Sequence, residues 1–176
     1  LSNGEPFRPY ARNDDLSRPW ALPGMKGFEH RLGGLEKEHI LGTVSYDAAN
    51  HDRMVRIRAE KVEKITKVIP PTHVSGPQSG DLLVVGWGGT YGAITAACDR
   101  VRSTGRPVSN LHLRHINPLP PDLGGILKRF QRILVPELNL GQLTWLLRAR
   151  YLVDAMGFNK VQGKPFLVAE IEQEVL

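Results

Sequence analysis

The segment DLLVVGWGGTYGAITAACDRVRSTG, residues 81–105, decides the fold class of this chain. It opens with the apolar run Leu82–Val85, passes through a glycine-rich turn at 86–89 and continues with apolar residues at helical spacing. Gly105 is well placed to end that helix. A continuous Leu/Val strand that leads into a helix through glycines is typical of a parallel sheet covered on both faces. The segment therefore predicts an α/β fold.

The glycine turn has several interpretations. Backbone N–H groups at the start of a helix attract anions, so Gly86, Gly88, Gly89 and Thr90 form a candidate anion-binding turn. The turn also resembles a dinucleotide fingerprint, but the next glycine, Gly92, comes one residue late, and no acidic residue ends the following strand. A structural alternative is that Gly88 and Gly89 let the helix pack closely on the sheet. These alternatives stay open at the level of the residues.

Strand and helix patterns continue to alternate beyond this segment. Strands are expected at Val108–Leu113 and Ile133–Val135, and helices capped by Asp122 and Asn139 follow them. A last short helix lies near the C-terminus. This alternation predicts right-handed crossovers and a three-layer α/β/α sandwich with a mostly parallel sheet.

Polar residues cluster where the predicted strands end. His112, Arg114 and His115 lie at the end of one strand, and Glu137 lies at the end of the next. Ligands of open α/β sheets bind at this carboxyl edge, so these residues are a candidate ligand or subunit contact. The simpler alternative is that these residues are polar only because they lie at the solvent-facing edge of the sheet. Glu137 could serve only to cap the next helix.

The N-terminal quarter of the chain differs from the rest. Residues 1–45 show no helical or strand periodicity but carry large aromatic side chains, which predicts an extended arm that packs on a partner domain or subunit. Residues 46–71 predict a connecting helix that Asp47 caps, and residues 72–176 predict the α/β domain. Because the first residue is Leu rather than Met, we expect a piece of a longer polypeptide. The apolar face of the connecting helix carries Val55, Ala59, Val62, Ile65 and Ile69.

Composition excludes several classes of protein. Cys98 is the sole cysteine, so the chain holds no disulfide scaffold or cysteine-ligated cluster; we expect a buried thiol in a reducing, cytoplasmic setting. No histidine shows metal-ligand spacing, and no metal site is predicted. No apolar run approaches the ~20 residues of a membrane span. The net charge of +5 draws on residues 53–67, where Glu–Lys pairs indicate a solvated helix face without stacking aromatics, so no nucleic-acid partner is expected.

Several sequence blocks carry a resemblance to a known family. In chain order they are RPWALPG (18–24), GFEHRLGGLEKE (27–38), SYDAANHDRMVRIRAEKV (45–62), LLVVGWGGTYGAITAA (82–97), LRHINPLPP (113–121), VPELNLGQL (135–143), RYLVDA (150–155) and KVQGKPF (160–166). In this order and spacing they resemble the C-terminal part of the alpha subunit of 2-oxoacid:ferredoxin oxidoreductases, especially the 2-oxoglutarate type. The resemblance covers nearly the whole chain and implies a transketolase C-terminal-like domain after an arm.

The resemblance implies an activity and its cofactors. Such enzymes oxidatively decarboxylate a 2-oxoacid with coenzyme A to give acyl-CoA, CO₂ and reduced ferredoxin. Thiamine diphosphate with Mg²⁺ would lie between the alpha subunit's pyrimidine-binding domain, which precedes this region, and a beta subunit that carries a [4Fe-4S] cluster. This region would act mainly in assembly and at the substrate edge, with no catalytic residue of its own.

One substrate contact follows from the resemblance. The family often has a Ser-Pro-Arg segment whose arginine holds the 2-oxoacid carboxylate by bidentate pairing. Here the run is Arg18-Pro19-Trp20, so the arginine stands on the other side of the proline. Arg18 is the candidate substrate-binding residue, and Trp20 is an alternative wall of the pocket.

Two other functions remain as alternatives. One is a free-standing interaction or regulatory module that binds a phosphate-bearing ligand at the glycine turn. The other is a small NADP-dependent oxidoreductase, for which Arg114 would meet the 2′-phosphate.

Overall fold

The structure is a computed structural model that describes residues 6–176. The chain divides into two compact units, one ending at Val68 and the other spanning Ile69–Leu176. The arm predicted for residues 1–45 lies in the first unit, and its residues 1–5 fall outside the described part of the chain. The domain boundary at residue 72 remains a prediction.

The second unit is built on a single five-stranded sheet. Its strands are β1 (Val74–Ser75), β2 (Gly80–Trp87), β3 (Ser109–Leu113), β4 (Phe130–Glu137) and β5 (Ala155–Asn159). They lie in the order β1-β3-β2-β4-β5, and only the short β1 is antiparallel to its neighbour. The helices of this unit are α2 (Tyr91–Ser103), α3 (Leu123–Leu127), α4 (Gln142–Tyr151) and α5 (Val168–Val175). The predicted mostly parallel sheet is confirmed.

The central strand β2 explains the three layers. Its side chains alternate between the two faces of the sheet. Leu82 and Val84 pack in an apolar cluster with residues of α2 and α5, whereas Leu83 and Val85 pack in a second cluster with residues of α3 and α4. Because both faces are covered, both sets of side chains must be apolar, as the sequence of β2 shows.

The close approach of α2 to the sheet depends on a different glycine from the two proposed. A Cβ atom added to Gly86 would lie 2.6 Å from Ile94 Cδ1 and 3.0 Å from Thr90 Oγ1, so a larger residue would force these side chains to shift. A Cβ atom on Gly88 or Gly89 would meet nothing within 4 Å. The interpretation of Gly88 and Gly89 as packing glycines is therefore wrong, and Gly88 instead supplies a turn with φ of +56°.

Cys98 lies on the buried side of α2, as predicted. Its side chain has 0% exposure in the apolar cluster beneath the helix. Burial raises the pKa of the Cys98 thiol to about 11. The thiol is therefore protonated at physiological pH and serves as a small apolar group.

Native protein is expected to resist thiol labelling. Iodoacetamide reacts with thiolates, and Cys98 is both buried and protonated, so mass spectrometry should find it unmodified in folded protein and modified after denaturation. Cys98 is the only cysteine, so every label on this chain reports on it. Rapid labelling of the folded protein would contradict the buried thiol.

The structure departs from the predicted elements at four places. Strands β1 and β5 were not anticipated, because one is very short and the other, Ala155–Asn159, contains Gly157 and little β-branched character. Strand β4 extends beyond the expected Ile133–Val135 at both ends, since it begins at Phe130 and continues through Pro136. Proline is tolerated there because β4 pairs with β2 only up to Leu134. Asp122 occupies the N-cap position of α3 but makes no capping bond, because its carboxylate accepts hydrogen bonds from Thr72 N and Thr72 Oγ1.

In the first unit, the described arm residues fold onto a helix. Helix α1 (Ala48–Lys64) ends in a 3₁₀ turn at Ile65–Val68. Asp47 caps it as predicted, since its carboxylate accepts a hydrogen bond from Asn50 N at 2.7 Å. The buried Asn50 side chain donates to Lys37 O and accepts from His39 N. The arm is therefore tied to α1 rather than fully extended.

The predicted apolar face of α1 is not buried within this unit. Val55, Ala59 and Ile65 are exposed and Val62 is half-buried, whereas Ile69 is buried but belongs to the second unit. Within α1 itself, only Asn50 and Met54 are buried. Helical spacing places these residues on one face but does not decide whether anything covers it.

Within residues 6–176, no helix combines the length and apolar character of a membrane span.

Candidate functional site

The first unit contains a strongly basic cavity of about 590 Å³. The residues that line it are Tyr10, Arg12, Arg18, Gly34, Leu35, Glu36, Lys37, His51, Met54, Arg58 and Lys61. Arg18, the residue singled out from the sequence, is thus grouped with cations that come from the arm and from α1. An excess of positive charge in one concave site favours an anionic ligand.

A tight turn and an aromatic ring position Arg18. The turn is closed by a bond from Leu16 N to Asn13 O, with Leu16 at a φ of 64°, and Arg18 follows directly. The Arg18 guanidinium carbon lies 4.3 Å from the centroid of the Tyr10 ring, a cation–π distance. No hydrogen bond or ion pair engages the Arg18 side chain within residues 6–176. Its guanidinium is therefore held in place while its donors stay available.

Arg12 also lies near the Tyr10 ring, with its guanidinium carbon 5.7 Å from the ring centroid. It donates to Tyr10 O at 2.9 Å and to His39 O at 3.0 Å, so its donors are used inside the protein. Burial lowers the pKa of Arg12, and the nearby charge of Arg18 lowers it further. Two guanidinium groups held this close repel one another, and a bound anion between them would relieve that repulsion.

Glu36 is the one carboxylate among the cavity's lining residues. His51 Nδ1 lies 2.6 Å from Glu36 Oε2, and Arg58 donates to Glu36 Oε1 at 3.3 Å. The hydrogen bond from His51 is the main cause that holds the pKa of Glu36 below its ordinary value. Glu36 is thus engaged on both oxygens, which leaves Arg18 and Lys61 as the cations best placed to meet a ligand.

The sequence indicated Arg18 but not its neighbours. Residues 53–67 were interpreted as a solvated helix face, and Arg58 and Lys61 belong to that segment. Their spacing of three residues places them on one side of α1, a signal that the sequence does contain. Only the tertiary structure shows that this side of α1 lies near Arg18. Trp20, the alternative wall of the pocket, is 84% exposed and does not line this cavity.

Three of the four candidate edge residues come together in the second unit. His112, Arg114 and His115 line a cavity of about 620 Å³ beside the end of β3. Glu137 does not line this cavity. The structure thus separates the histidines and arginine from the carboxylate that the sequence grouped with them.

Glu137 is a structural cap instead of an exposed ligand contact. Its side chain has 0% exposure and accepts hydrogen bonds from Leu143 N at 2.8 Å and Thr144 N at 2.9 Å. Thr144 Oγ1 and Trp87 Nε1 also donate to it. All of its acceptor capacity is directed at the first turn of α4 and at Trp87, which leaves none for a ligand.

The glycine turn is partly exposed to solvent, and no other feature of it indicates a ligand. Gly88 and Gly89 are exposed, whereas Thr90 is buried and its hydroxyl donates to Trp87 O at 2.8 Å. Neither of the two cavities is lined by Gly86, Gly88, Gly89 or Thr90. Anion binding at this turn remains a prediction.

In the part of the chain that the structure describes, no group of three His, Cys, Asp or Glu side chains could hold a metal ion.

Sequence comparisons find two informative relatives, although no protein-family model matches the chain. The chain is 48% identical over 170 residues to the 2-oxoglutarate oxidoreductase subunit KorA of Mycobacterium tuberculosis, covering 96% of this chain and 26% of that protein. It is 28% identical over 186 residues to the alpha subunit of 2-oxoacid:ferredoxin oxidoreductase 1 of Aeropyrum pernix, covering 97% of this chain and 28% of that protein. The chain therefore spans roughly a quarter of the length of the curated relatives it matches.

A solved structure agrees with these relatives. The 2-oxoglutarate:ferredoxin oxidoreductase from Magnetococcus marinus, with 2-oxoglutarate, coenzyme A and succinyl-CoA bound, matches with a TM-score of 0.89 and 26% identity. The match covers 99% of this chain and 31% of that chain. It extends over both units, so the irregular residues of the first unit share their course with those of the solved enzyme.

Proposed function

This chain is homologous to part of the alpha subunit of the 2-oxoacid:ferredoxin oxidoreductases, and we propose on that premise that the whole protein oxidatively decarboxylates a 2-oxoacid. The substrate would be 2-oxoglutarate, with coenzyme A as co-substrate and acyl-CoA, CO₂ and reduced ferredoxin as products. The observation that carries the proposal is the 48% identity to a 2-oxoglutarate oxidoreductase subunit over 96% of the chain. The comparisons support this enzyme rather than a free-standing phosphate-binding module.

The cofactors of such an enzyme would be held outside this chain. Thiamine diphosphate with Mg²⁺ and a [4Fe-4S] cluster are part of the proposal. The described residues do not fit either group, because they offer no cluster of metal ligands and only one cysteine, which is buried. The family resemblance implies that thiamine diphosphate would lie between the pyrimidine-binding domain and the beta subunit, and that the iron–sulfur cluster would lie in the beta subunit. The remaining partner is ferredoxin, in the cytoplasm.

Within this chain, the proposed role is to bind substrate from the basic cavity of the first unit. Arg18 would hold a carboxylate of the 2-oxoacid through two parallel N–H donors. Its stacking on Tyr10 supports this role, because a guanidinium that is already ordered loses little conformational entropy on binding. Lys61, a second cation of the same cavity, would contribute charge.

The proposal is tested on the protein purified from its source. Its native mass, thiamine diphosphate content and iron content are measured in one chromatographic peak. The same fraction is assayed for 2-oxoglutarate-dependent reduction of ferredoxin with and without coenzyme A. A heteromer that contains both cofactors and needs both substrates is expected. A lone particle without either cofactor would refute the proposed function.

A further inference from the structure

The cavity beside β3 has no role in the proposed function. It lies within the unit Ile69–Leu176, and its volume of about 620 Å³ is that of an ordinary small-molecule site. Its lining residues are Ile69, Pro70, Pro71, Thr72, His73, Ser75, Tyr91, Thr95, Asn110, Leu111, His112, Leu113, Arg114, His115 and Pro120. It is thus formed by the segment around β1, the start of α2 and the end of β3.

Apart from the phenol of Tyr91, the ionisable side chains of this lining are all basic. They are His73, His112, Arg114 and His115, and no carboxylate is among the lining residues. Within residues 6–176, no ion pair or side-chain hydrogen bond engages Arg114. The carboxylate of Asp122, which contacts this lining, is engaged by Thr72 N at 2.7 Å and Thr72 Oγ1 at 2.8 Å. A cleft with one free permanent cation and no free carboxylate attracts anions.

Two buried polar atoms without a partner belong to residues that line this cavity. Thr95 Oγ1 and His112 Nδ1 are the buried side-chain polar atoms that lack a hydrogen-bond partner in the described part of the chain. Both residues line the cavity. Buried polar groups in native proteins are usually satisfied, so two orphans in one cleft point to a polar partner that binds there.

The donors of the cleft suit a phosphate group. Burial, together with the charge of Arg114, lowers the pKa of His112, so its ring is neutral at neutral pH and offers one donor and one acceptor nitrogen. A hydroxyl, an imidazole and a guanidinium approach a tetrahedral anion from several directions, whereas a planar carboxylate accepts mainly in its plane.

The cavity is also larger than a lone phosphate needs. At its edge the Tyr91 ring, 58% exposed, lies edge-to-face with His112 at 5.1 Å and offers an apolar surface to a ring.

We propose that this cleft binds the phosphate groups of an organic phosphate ester, with Arg114 as the fixed cation and Thr95 and His112 as hydrogen-bonding partners. A free nucleotide and a phosphate-bearing carrier such as coenzyme A share this chemistry. The site shares no lining residue with the basic cavity around Arg18 and does not depend on the reaction proposed for the enzyme.

The test measures binding to the assembled enzyme by calorimetry, with inorganic pyrophosphate and ADP as probes. Saturable binding of both is expected. Arg114→Ala should weaken it at least about tenfold because the charge-assisted bonds are lost. Lys128→Ala removes the same charge from an exposed position outside the cavity and should leave the affinity within about twofold. Displacement of ADP by coenzyme A would identify the carrier, and displacement only by nucleotides would identify a nucleotide.

A second variant separates ligand binding from fold maintenance. Thr95→Val removes a hydroxyl that has no partner, so the melting temperature without ligand should stay equal or rise. The increase in melting temperature that ADP causes should become smaller. No saturable binding to the unmodified enzyme, or equal affinities in the Arg114→Ala and Lys128→Ala variants, would overturn the proposal. Because turnover is not part of the readout, this failure is distinguishable from a failure of the proposed function.

Discussion

Replacement of Glu137 by alanine is expected to lower the free energy of unfolding by about 3 kcal/mol or more. The carboxylate is fully buried and accepts bonds from Leu143 N, Thr144 N and Thr144 Oγ1 at 2.8–2.9 Å. The Glu137→Ala change would leave these buried donors without their protein acceptor. It would also remove a negative charge from the positive end of the α4 dipole. Urea-induced unfolding, followed by circular dichroism, measures the effect.

Two further variants show which property of Glu137 matters. Glu137→Gln keeps the shape and one acceptor oxygen, so a smaller loss of about 1–2 kcal/mol is expected. Glu174→Ala removes a carboxylate that is exposed on α5 and should change stability by less than about 0.5 kcal/mol. If Glu137→Ala were as mild as Glu174→Ala, the carboxylate would not be the cap of α4.

Replacement of Arg18 by alanine should reduce kcat/KM for the 2-oxoacid at least about tenfold, which corresponds to ~1.4 kcal/mol of transition-state stabilisation. The guanidinium is ordered over Tyr10 at 4.3 Å, and no partner within residues 6–176 occupies its donors. Its loss removes the bidentate contact while the fold of the unit loses only one exposed side chain. Steady-state kinetics of ferredoxin reduction with varied 2-oxoglutarate give kcat/KM for the variant and for the unmodified enzyme.

The control for Arg18 comes from the same segment. Arg8 is exposed and does not line the basic cavity, so Arg8→Ala should leave the kinetics unchanged. Arg18→Lys keeps the charge but loses the planar fork and should fall between the alanine variant and the unmodified enzyme. Unchanged kinetics in Arg18→Ala would remove this residue from the substrate site without affecting the family relationship.

The proposed function does not require that this chain carry the reacting groups of the enzyme. The chain spans 26–28% of its curated relatives, and the described residues lack a group of metal ligands. In the proposed enzyme, thiamine diphosphate and the iron–sulfur cluster would be bound by residues outside this chain. What this chain offers is a positioned cation in one unit and a cleft with unsatisfied polar atoms in the other.

The sequence alone was sufficient for the elements whose evidence is local. The apolar run of β2, the spacing of α2 and the cap at Asp47 are properties of neighbouring residues, and the structure has all of them. The burial of Cys98 followed in the same way, from its place on a helix that must cover a sheet. The order of the matching blocks was enough to indicate the family.

The tertiary structure alone decided which side chains meet. Arg18 lies about forty residues before Arg58 and Lys61, and no local pattern shows that they share a cavity. The packing glycine is Gly86 rather than Gly88 because only the path of the helix over the strand determines which Cα lacks room for a side chain. Tertiary packing likewise determined that Glu137 is buried against the first turn of α4 and caps it. Periodicity specifies the face on which a residue lies, whereas packing between distant segments determines what that face touches, and in this protein both candidate sites depend on the latter.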